Sequence, residues 1–242
     1  MTTKKLTNRL EAVFTLIPKA PSIADIGTDH GYLAVELIRR NRAKRVIAGD
    51  VHKGPLESAK AYIKANGLES LIDCRLGDGL QATKAGELQG AVLCGMGGFL
   101  MRDIIAEGPE LLDFYVLQPQ NGQAELRQFL VNQGYSIAKE ILVEDMGKLY
   151  QALLAIKEEQ LSKYVSNIEL SGQDIYANLS PDSLLWSVGA LLAQERPPLW
   201  TKYIERLIHL RQTALQSMSA ELANTEKYKI LTKEIMELEA LL

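Results

Sequence analysis

Short apolar runs alternate with helical patterns five times between residues 22 and 133, and this alternation limits the fold more than any other feature of the sequence. Such strand–helix repeats predict a parallel sheet that is covered by helices on both faces. Two further apolar runs, residues 135–143 and 149–156, are joined by a tight turn that contains Gly147. These runs must pair antiparallel, because a parallel crossover needs about a dozen residues or more. The sequence therefore predicts a doubly wound α/β fold that closes with a β-hairpin.

The order of the elements brings one set of loops together, because ligands of doubly wound sheets bind beyond the carboxyl ends of the strands. A helical repeat of apolar residues that stops at Pro18 predicts one more helix before the first strand. The five parallel strands are predicted at residues 22–26, 45–49, 71–76, 91–94 and 114–117, with helices at 32–40, 55–65, 100–107 and 124–133. We expect the ligand-binding edge to consist of the loops at 27–31, 50–55, 77–80, 95–98 and 118–122.

The sequence changes character after about residue 157, where glycines become rare and apolar residues take helical spacing. From Trp200 to Met218 one helix face follows a 4-3-4-3-4 spacing, and a second set runs from Ile230 to Leu242. This predicts two antiparallel, coiled-coil-like helices, either packed on the sheet or protruding from it. Ser180 before Pro181 predicts a further helix start. We divide the chain into an α/β domain, residues 1–157, and an all-α helical domain, residues 158–242.

Composition excludes several functional classes. Cys74 and Cys94 lie in apolar runs without metal-ligand spacing, which predicts reduced thiols in a cytoplasmic protein. The three histidines are too scattered for a zinc site, and no apolar run approaches the ~20 residues that span a bilayer. The net charge of −3 argues weakly against nucleic acid, although the basic cluster at residues 39–45 fits either a phosphate-binding patch or a solvated helix end. We expect a cytoplasmic monomer that binds neither metal nor membrane.

The loop after the first strand identifies a cofactor class. It reads Asp25-Ile26-Gly27-Thr28-Asp29-His30-Gly31-Tyr32. The dinucleotide pattern G-x-G-x-x-G would need glycines at positions 29 and 32, and an acid at 29 would repel a pyrophosphate. The pattern D-x-G-x-x-x-G instead resembles motif I of S-adenosylmethionine-dependent methyltransferases. That cofactor carries an ammonium and a sulfonium group, which acidic residues suit electrostatically.

Two further loops carry acids at the same predicted edge. Asp50 lies 23 residues after Gly27, where a carboxylate can accept from both ribose hydroxyls, although a helix N-cap is an alternative. Asp78 is placed to accept from an adenine amino group with Leu80 against the ring, although a plain Asp-Gly turn also fits. The predicted cofactor-binding residues are Asp25, Gly27, Thr28, Asp29, Gly31, Tyr32, Asp50, Val51, Gly77, Asp78, Gly79, Leu80, Cys94, Gly95, Met96 and Gly97.

The fourth loop, Cys94-Gly95-Met96-Gly97-Gly98, bears on the substrate. Methyltransferases of exocyclic amines carry an Asn/Asp-Pro-Pro-Tyr/Phe motif here, whose carbonyls accept from the target amine, and this chain lacks it. Three glycines expose backbone instead. A nucleophile that already owns a lone pair needs no such acceptors, and N1 of adenine fits this requirement. Its methylated product is cationic, and a nearby carboxylate such as Asp29 would stabilise the charge.

Residues 5–157 resemble one family, the bacterial tRNA (adenine-22-N1)-methyltransferases, or TrmK family. The resemblance rests on Arg9-Leu10, Ala24-Asp25-Ile26-Gly27-Thr28-Asp29-His30-Gly31-Tyr32-Leu33, Gly77-Asp78-Gly79-Leu80, Gly95-Met96-Gly97-Gly98 and Leu117-Gln118-Pro119-Gln120. It implies methyl transfer from S-adenosylmethionine to N1 of adenine 22 in tRNA, and a C-terminal helical domain that contacts the tRNA.

That resemblance also implies site residues. N1 lies on the Watson–Crick edge, so the base must be flipped into a pocket. We expect Asp29, His30 and Gln118 at the reacting centre, although His30 also fits a structural loop position, and Tyr32 and Met96 as platforms for the base. Gln120 stands where family members often carry Asn. The expected substrate contacts are Gly98 and Gln120 near the base, and Arg39, Arg40, Arg42, Lys202 and Arg206 at phosphates.

Three alternatives remain at this point. A methyltransferase of a small molecule or protein would carry the same cofactor loops. A non-catalytic RNA-binding scaffold would share the fold, although the acids in all three cofactor loops speak against it. A nicotinamide oxidoreductase would need the glycine fingerprint that the first loop lacks.

Overall fold

The computed structural model describes residues 4–164, 173–218 and 225–242. The strands are β1 (Ala20–Ile26), β2 (Ala43–Asp50), β3 (Ile72–Leu76), β4 (Gly90–Met96), β5 (Phe114–Pro119), β6 (Tyr135–Asp145) and β7 (Lys148–Lys157). The helices are α1 (Asn8–Leu16), α2 (Tyr32–Arg39), α3 (Lys53–Ala65), α4 (Gly98–Ala106), α5 (Gln123–Asn132), α6 (Leu161–Tyr164), α7 (Gln173–Ala177), α8 (Leu185–Val188), α9 (Ala190–Glu195), α10 (Trp200–Gln216) and α11 (Glu226–Glu239).

The strands form one sheet in the order β3-β2-β1-β4-β5-β7-β6. The first five strands are parallel, and β7 pairs antiparallel with both β5 and β6. The predicted doubly wound sheet with a terminal β-hairpin is therefore confirmed, and the predicted elements differ from the observed ones only at their ends. No helix in the described ranges is long and apolar enough to cross a membrane.

Helices cover both faces of the sheet, because its central strands carry buried side chains on alternate sides. Ile23 of β1 belongs to the core beneath α1, α2 and α3, whereas Ala24 and Ile26 belong to the core beneath α4 and α5. α2 buries one amphipathic face and is preceded by Gly31, its N-cap, in the left-handed region. This layering leaves the loops at the carboxyl ends of β1 to β5 at one open edge.

The C-terminal helices pack on the far side of the terminal hairpin. Leu142 and Leu149 of the hairpin contact a third core that contains Trp200, Ile204 and Leu238. Among the described residues of α10, none is buried beyond Ile208. Both sequence-based alternatives hold in part: the proximal half of the helix pair packs on the sheet, and the distal half leaves it. The domain boundary at residue 157 stays a prediction, and residues 165–172 and 219–224 lie outside the described part of the chain.

One helix prediction was wrong. Ser180 and Pro181 lie in a turn, and α8 begins only at Leu185. Their carbonyls accept side-chain hydrogen bonds instead, from the Trp186 indole at 2.9 Å and from the Gln128 amide at 2.9 Å. The turn is thereby attached to α5, which a local capping signal cannot reveal.

A buried polar cluster around Arg127 joins the sheet to the C-terminal segments. The Arg127 side chain is fully buried on α5, and its Nε donates to Glu140 on β6 at 2.7 Å. Its Nη1 donates to the Trp186 carbonyl at 2.8 Å and its Nη2 to Gln151 on β7. Tyr176 donates to the second Glu140 oxygen at 2.8 Å. Burial alone would lower the pKa of Arg127, but Glu140 beside it raises that pKa, so the guanidinium stays charged.

Candidate functional site

A cavity of about 450 Å³ opens at the carboxyl edge of the sheet, where the sequence placed the ligand. Its lining draws on α1 and on the loops that follow β1, β2, β3, β4 and β5. The predicted site residues that line it are Gly27, Asp29, Asp50, Val51, Asp78, Gly79, Cys94, Gly95, Met96 and Gln120. The volume falls in the range of about 300–1,000 Å³ that is usual for small-molecule sites.

Gly27 shapes the wall of this cavity. Its φ of +75° lies in the left-handed region, and a Cβ there would lie 2.1 Å from Cε of Met96. The Gly27 N–H donates to the Gly49 carbonyl at 2.8 Å, which ties the β1 loop to β2. Only glycine allows this conformation and this approach, so the first loop lies directly against the fourth.

Asp25 lies beneath the first loop and is not part of the lining. It accepts from the Thr28 hydroxyl at 2.8 Å, and both residues are buried. Burial is the largest influence on Asp25 and raises its pKa to about 6, against hydrogen bonds from Thr28 and the Ala34 N–H that lower it. Asp50 and Asp29 raise the pKa further, which shows that the negative charges converge on one place. Asp25 therefore supports the loop and contributes its field rather than a direct contact.

Asp29 and His30 face solvent at the mouth of the site. Asp29 lines the cavity with a side chain that is 81% exposed, and His30 Nε2 lies 3.2 Å from its carboxylate. His30 stacks on Tyr32 with ring centroids 5.4 Å apart. Tyr32 accepts from Lys4 at 2.9 Å and lies outside the cavity lining. Asp29 is thus placed for a ligand, whereas His30 and Tyr32 form the outer side of the loop.

The second and third acids both line the cavity. Asp50 Oδ1 accepts from the His52 N–H at 2.7 Å, so the carboxylate also fixes the turn into α3. Its other oxygen has no partner among the described residues. Asp78 is exposed at the start of a 3₁₀ turn and makes no capping hydrogen bond there. Two carboxylates therefore face the cavity with acceptor oxygens available for hydroxyl or amino groups.

The apolar wall of the cavity differs from the predicted one. Leu80 is 1% exposed and packs in the core, because the 3₁₀ turn directs it inward, so it does not face a ligand. Leu100 and Ile104 of α4 line the cavity instead. They are one helical turn apart, and this spacing after a glycine loop was the available sequence signal.

The glycines after β4 serve packing as well as access. Gly98 is buried, and a Cβ there would lie 2.3 Å from the Gly122 carbonyl oxygen. Its N–H donates to the Asn121 carbonyl at 2.8 Å. Gly98 therefore holds the fourth and fifth loops together, which corrects its expected contact with substrate. Gly97 is similarly tight, since a Cβ there would lie 2.8 Å from Oδ1 of Asn121.

Sequence reasoning missed Arg9 as a site residue. Its guanidinium lines the cavity, and its Nη1 donates to Gln118 Oε1 at 2.5 Å. Gln118 is fully buried behind it, so a direct contact of Gln118 with the base is replaced by a role in orienting Arg9. Gln120 is exposed, and its backbone N–H donates to the Met96 carbonyl at 2.8 Å. The available signal was the Arg9-Leu10 pair, which comes from a helix far away in sequence.

Cys94 lines the cavity but is not a nucleophile. Burial is the main influence and raises the pKa of its thiol to about 12, with Asp25 raising it further and Arg9 lowering it. The thiol therefore stays protonated at neutral pH. The site offers no thiolate for covalent chemistry through Cys94.

The predicted phosphate contacts lie in two separate places. Arg39, Arg40 and Arg42 lie at the amino edge of the sheet, one strand length from the cavity, or about 25 Å. Arg40 pairs with Glu36 at 2.6 Å and also with Glu11, so part of its charge is neutralised. Lys202 pairs with Glu144 at 2.7 Å, and Arg206 lies further along α10. These contacts with tRNA stay predictions.

Comparisons with known proteins follow this geometry. A model of the methyltransferase domain family matches residues 6–153. The tRNA (adenine(22)-N(1))-methyltransferase of Bacillus subtilis strain 168 is 32% identical over 236 residues, 96% of this chain and 93% of the relative. The crystal structure of B. subtilis TrmK is similar with a TM-score of 0.80 at 29% identity over 98% of each chain. Streptococcus pneumoniae Sp1610, solved with S-adenosyl-L-methionine, is similar with a TM-score of 0.80 at 27% identity over 98% of this chain and 99% of that chain.

Proposed function

The chain belongs to the bacterial tRNA (adenine-22-N1)-methyltransferase family, and from this membership we propose how its cavity transfers a methyl group from S-adenosylmethionine to N1 of adenine 22 in tRNA. The family inferred from the sequence motifs is confirmed by a relative that matches nearly the whole chain. The observation that carries the proposal is the cavity at the carboxyl edge, where Asp29, Asp50 and Asp78 surround an apolar wall.

The residues of the cavity fit the cofactor. Asp50 and Asp78 have acceptor oxygens for ribose hydroxyls and an adenine amino group, and Leu100 and Ile104 offer an apolar wall for a ring. The amino-acid end of the cofactor carries an ammonium group, which the field of Asp25 and Asp29 favours. When bound, S-adenosylmethionine supplies the methyl group as an electrophile.

The protein mainly has to position the acceptor base. N1 of adenine carries a lone pair, so no residue has to remove a proton before the attack. Cys94 keeps its proton, which excludes it as a covalent carrier of the methyl group. Catalysis then comes from orientation of the two reactants, and Gln120, Gly95 and Arg9 at the mouth are placed to bind the base or its phosphate.

Charge develops on the base as the methyl group arrives. The exposed carboxylate of Asp29 at the mouth stabilises this positive charge electrostatically. His30 orients that carboxylate through its contact at 3.2 Å. We also place the enzyme in the cytoplasm, where its tRNA substrate is found; the monomeric state stays a prediction.

A methylation assay on defined RNA tests this function. The purified full-length chain is incubated with S-adenosylmethionine and an unmodified tRNA transcript that has adenine at position 22, with a transcript that has guanine there as the matched control. Nuclease digestion and mass spectrometry should find 1-methyladenosine at position 22 of the first RNA alone. Cofactor binding without RNA methylation would favour a small-molecule or protein methyltransferase. Failure to bind the cofactor would favour a scaffold protein.

A further inference from the structure

A second concave surface lies next to the cavity and has no role in the account given so far. We name it the α10 groove; it has a volume of about 520 Å³ and runs between the start of β7 and the exposed face of α10. Gln120 lines both the cavity and the α10 groove. The groove therefore begins where the reacting site ends.

The α10 groove is lined by positive charge. Lys148, Arg206 and Arg211 are part of its lining, and none of the lining residues is a carboxylic acid. Arg211 pairs with Glu234 at 2.6 Å, which neutralises it. Neither Lys148 nor Arg206 is paired with a carboxylate within the described ranges. Two cations on facing walls therefore remain available for anions.

An aromatic ring stands at the junction of the α10 groove and the cavity. Tyr150 is half-buried in the groove lining, and the Arg9 guanidinium lies 5.6 Å from the centroid of its ring. Arg9 itself lines the cavity. Grooves that bind single-stranded nucleic acids combine cations that follow the backbone with aromatic rings on which bases stack. The α10 groove has both features in the right order.

The back wall of the α10 groove is fixed before any ligand binds. Gln151 and Tyr203 line the groove and are hydrogen-bonded to each other. Gln151 also accepts from the buried Arg127, and its amide donates to the Ser187 carbonyl at 3.1 Å. The groove is thus a rigid surface between the sheet and α10, not a gap between loosely joined parts.

Resting on the proposed function, we propose that the α10 groove binds the single-stranded nucleotide that flanks the target adenosine in tRNA. The flanking base stacks on Tyr150, and its phosphates meet Lys148 and Arg206. A flipped adenine leaves its neighbour unstacked, and a stacking platform beside the cavity compensates for that loss. Charge favours RNA over a protein partner, because the groove presents cations and no counter-charges.

Tyr150 tests the stacking contact, with Tyr150→Phe as the matched control. The full-length variants are titrated with a fluorescently labelled tRNA transcript, and S-adenosylhomocysteine binding is measured by calorimetry. Tyr150→Ala should weaken tRNA binding by roughly 5- to 150-fold, the range that loss of one stacked base produces. Tyr150→Phe keeps the ring and should bind like the wild type. Both variants should bind S-adenosylhomocysteine normally.

Lys148→Gln and Arg206→Gln test the phosphate contacts, with Lys84→Gln as the control. Lys84 is an exposed residue in the loop that precedes β4, away from both the cavity and the α10 groove. Each groove variant should reduce the slope of log affinity against log salt concentration by about 0.7–0.9, the value for one phosphate contact. The control should leave the slope unchanged.

The outcomes separate this inference from the proposed function. If the wild type methylates adenine 22 while Tyr150→Ala and both charge variants bind tRNA as it does, the α10 groove is not an RNA site and the function stands. If the wild type methylates no tRNA, the proposed function itself fails. Equal losses in Tyr150→Ala and Tyr150→Phe would also overturn the stacking role, because the ring would then be irrelevant.

Discussion

Two arginine–glutamine pairs in this molecule have opposite surroundings. Arg127 donates to Gln151 in a fully buried cluster in which Glu140 balances its charge and backbone carbonyls accept its remaining N–H groups. Arg9 donates to Gln118 at the edge of an open cavity and has no carboxylate partner among the described residues. The first pair is complete within the protein, whereas the second has donors left for a ligand.

The difference separates architecture from function. Buried polar groups are stable only when every donor and acceptor is paired, so the Arg127 cluster holds β6, β7, α5 and the C-terminal segments in one arrangement. The acids at the cavity repel one another, as the raised pKa of Asp25 shows. Their charge is balanced only when a cationic ligand arrives. Four substitutions, taken from the largest expected effect to the smallest, test this contrast.

The first substitution breaks the complete cluster. Arg127→Met leaves Glu140 buried without its partner, which should lower the free energy of unfolding by about 3–5 kcal/mol. Chemical denaturation measures the loss. The double variant Arg127→Met/Glu140→Leu removes both charges and should recover most of the stability. A single variant as stable as the wild type would show that the cluster does not hold the architecture.

The second substitution acts on the incomplete site. Asp50→Ala removes an acceptor for ribose hydroxyls and should weaken S-adenosylmethionine binding by roughly 10- to 150-fold, the equivalent of about 1.5–3 kcal/mol for hydrogen bonds to a charged group. The thermal midpoint should change little, in contrast to Arg127→Met. Asp103→Ala, an exposed acid on α4 outside the cavity lining, is the control for loss of a surface carboxylate. Unchanged cofactor affinity in Asp50→Ala would refute the ribose role.

The third substitution separates turnover from binding. Asp29→Asn should lower kcat by about tenfold while cofactor affinity changes less, because an exposed carboxylate acts on developing charge through partly screened electrostatics. Single-turnover kinetics with saturating tRNA measure the chemical step directly. A normal rate would remove Asp29 from the reacting centre.

The smallest effect is a pH dependence of cofactor binding. The pKa of Asp25 is raised to about 6, so the free protein takes up a proton there below that pH and loses it above. A cationic ligand favours the ionised carboxylate, so S-adenosylmethionine affinity should rise by a few-fold as pH increases from 5 to 7. Calorimetry should find a weaker trend for S-adenosylhomocysteine, which lacks the sulfonium charge. The trend should also disappear in Asp25→Asn, and its persistence there would assign it to another group.

Local patterns in the sequence were enough for the fold and for the edge that binds the ligand. Strand and helix periodicities are properties of adjacent residues, and the acids at positions 29, 50 and 78 follow their strands directly. Once the strands are parallel, those acids must share one edge, and all three line the cavity. The order of the loops therefore carried the prediction without any knowledge of distances.

Contacts between distant segments were beyond the sequence. Gln118 looks like a loop residue, but β5 is buried along its whole length, which turns Gln118 inward toward Arg9. The pairing of Arg127 with Glu140 joins a helix to a strand and leaves no periodic trace. Leu80 was misplaced for a similar reason, because the 3₁₀ turn after β3 sets its direction. Side-chain direction in loops depends on packing that only the folded chain provides.

A crystal structure of the full-length chain with S-adenosylhomocysteine tests the central claim most directly. We expect the ligand in the cavity at the carboxyl edge, with Asp50 and Asp78 bonded to its ribose and adenine and its sulfur facing the mouth beside Gly95 and Gln120. A ligand bound elsewhere, or a sulfur turned away from that mouth, would contradict the assignment of this cavity as the site of methyl transfer.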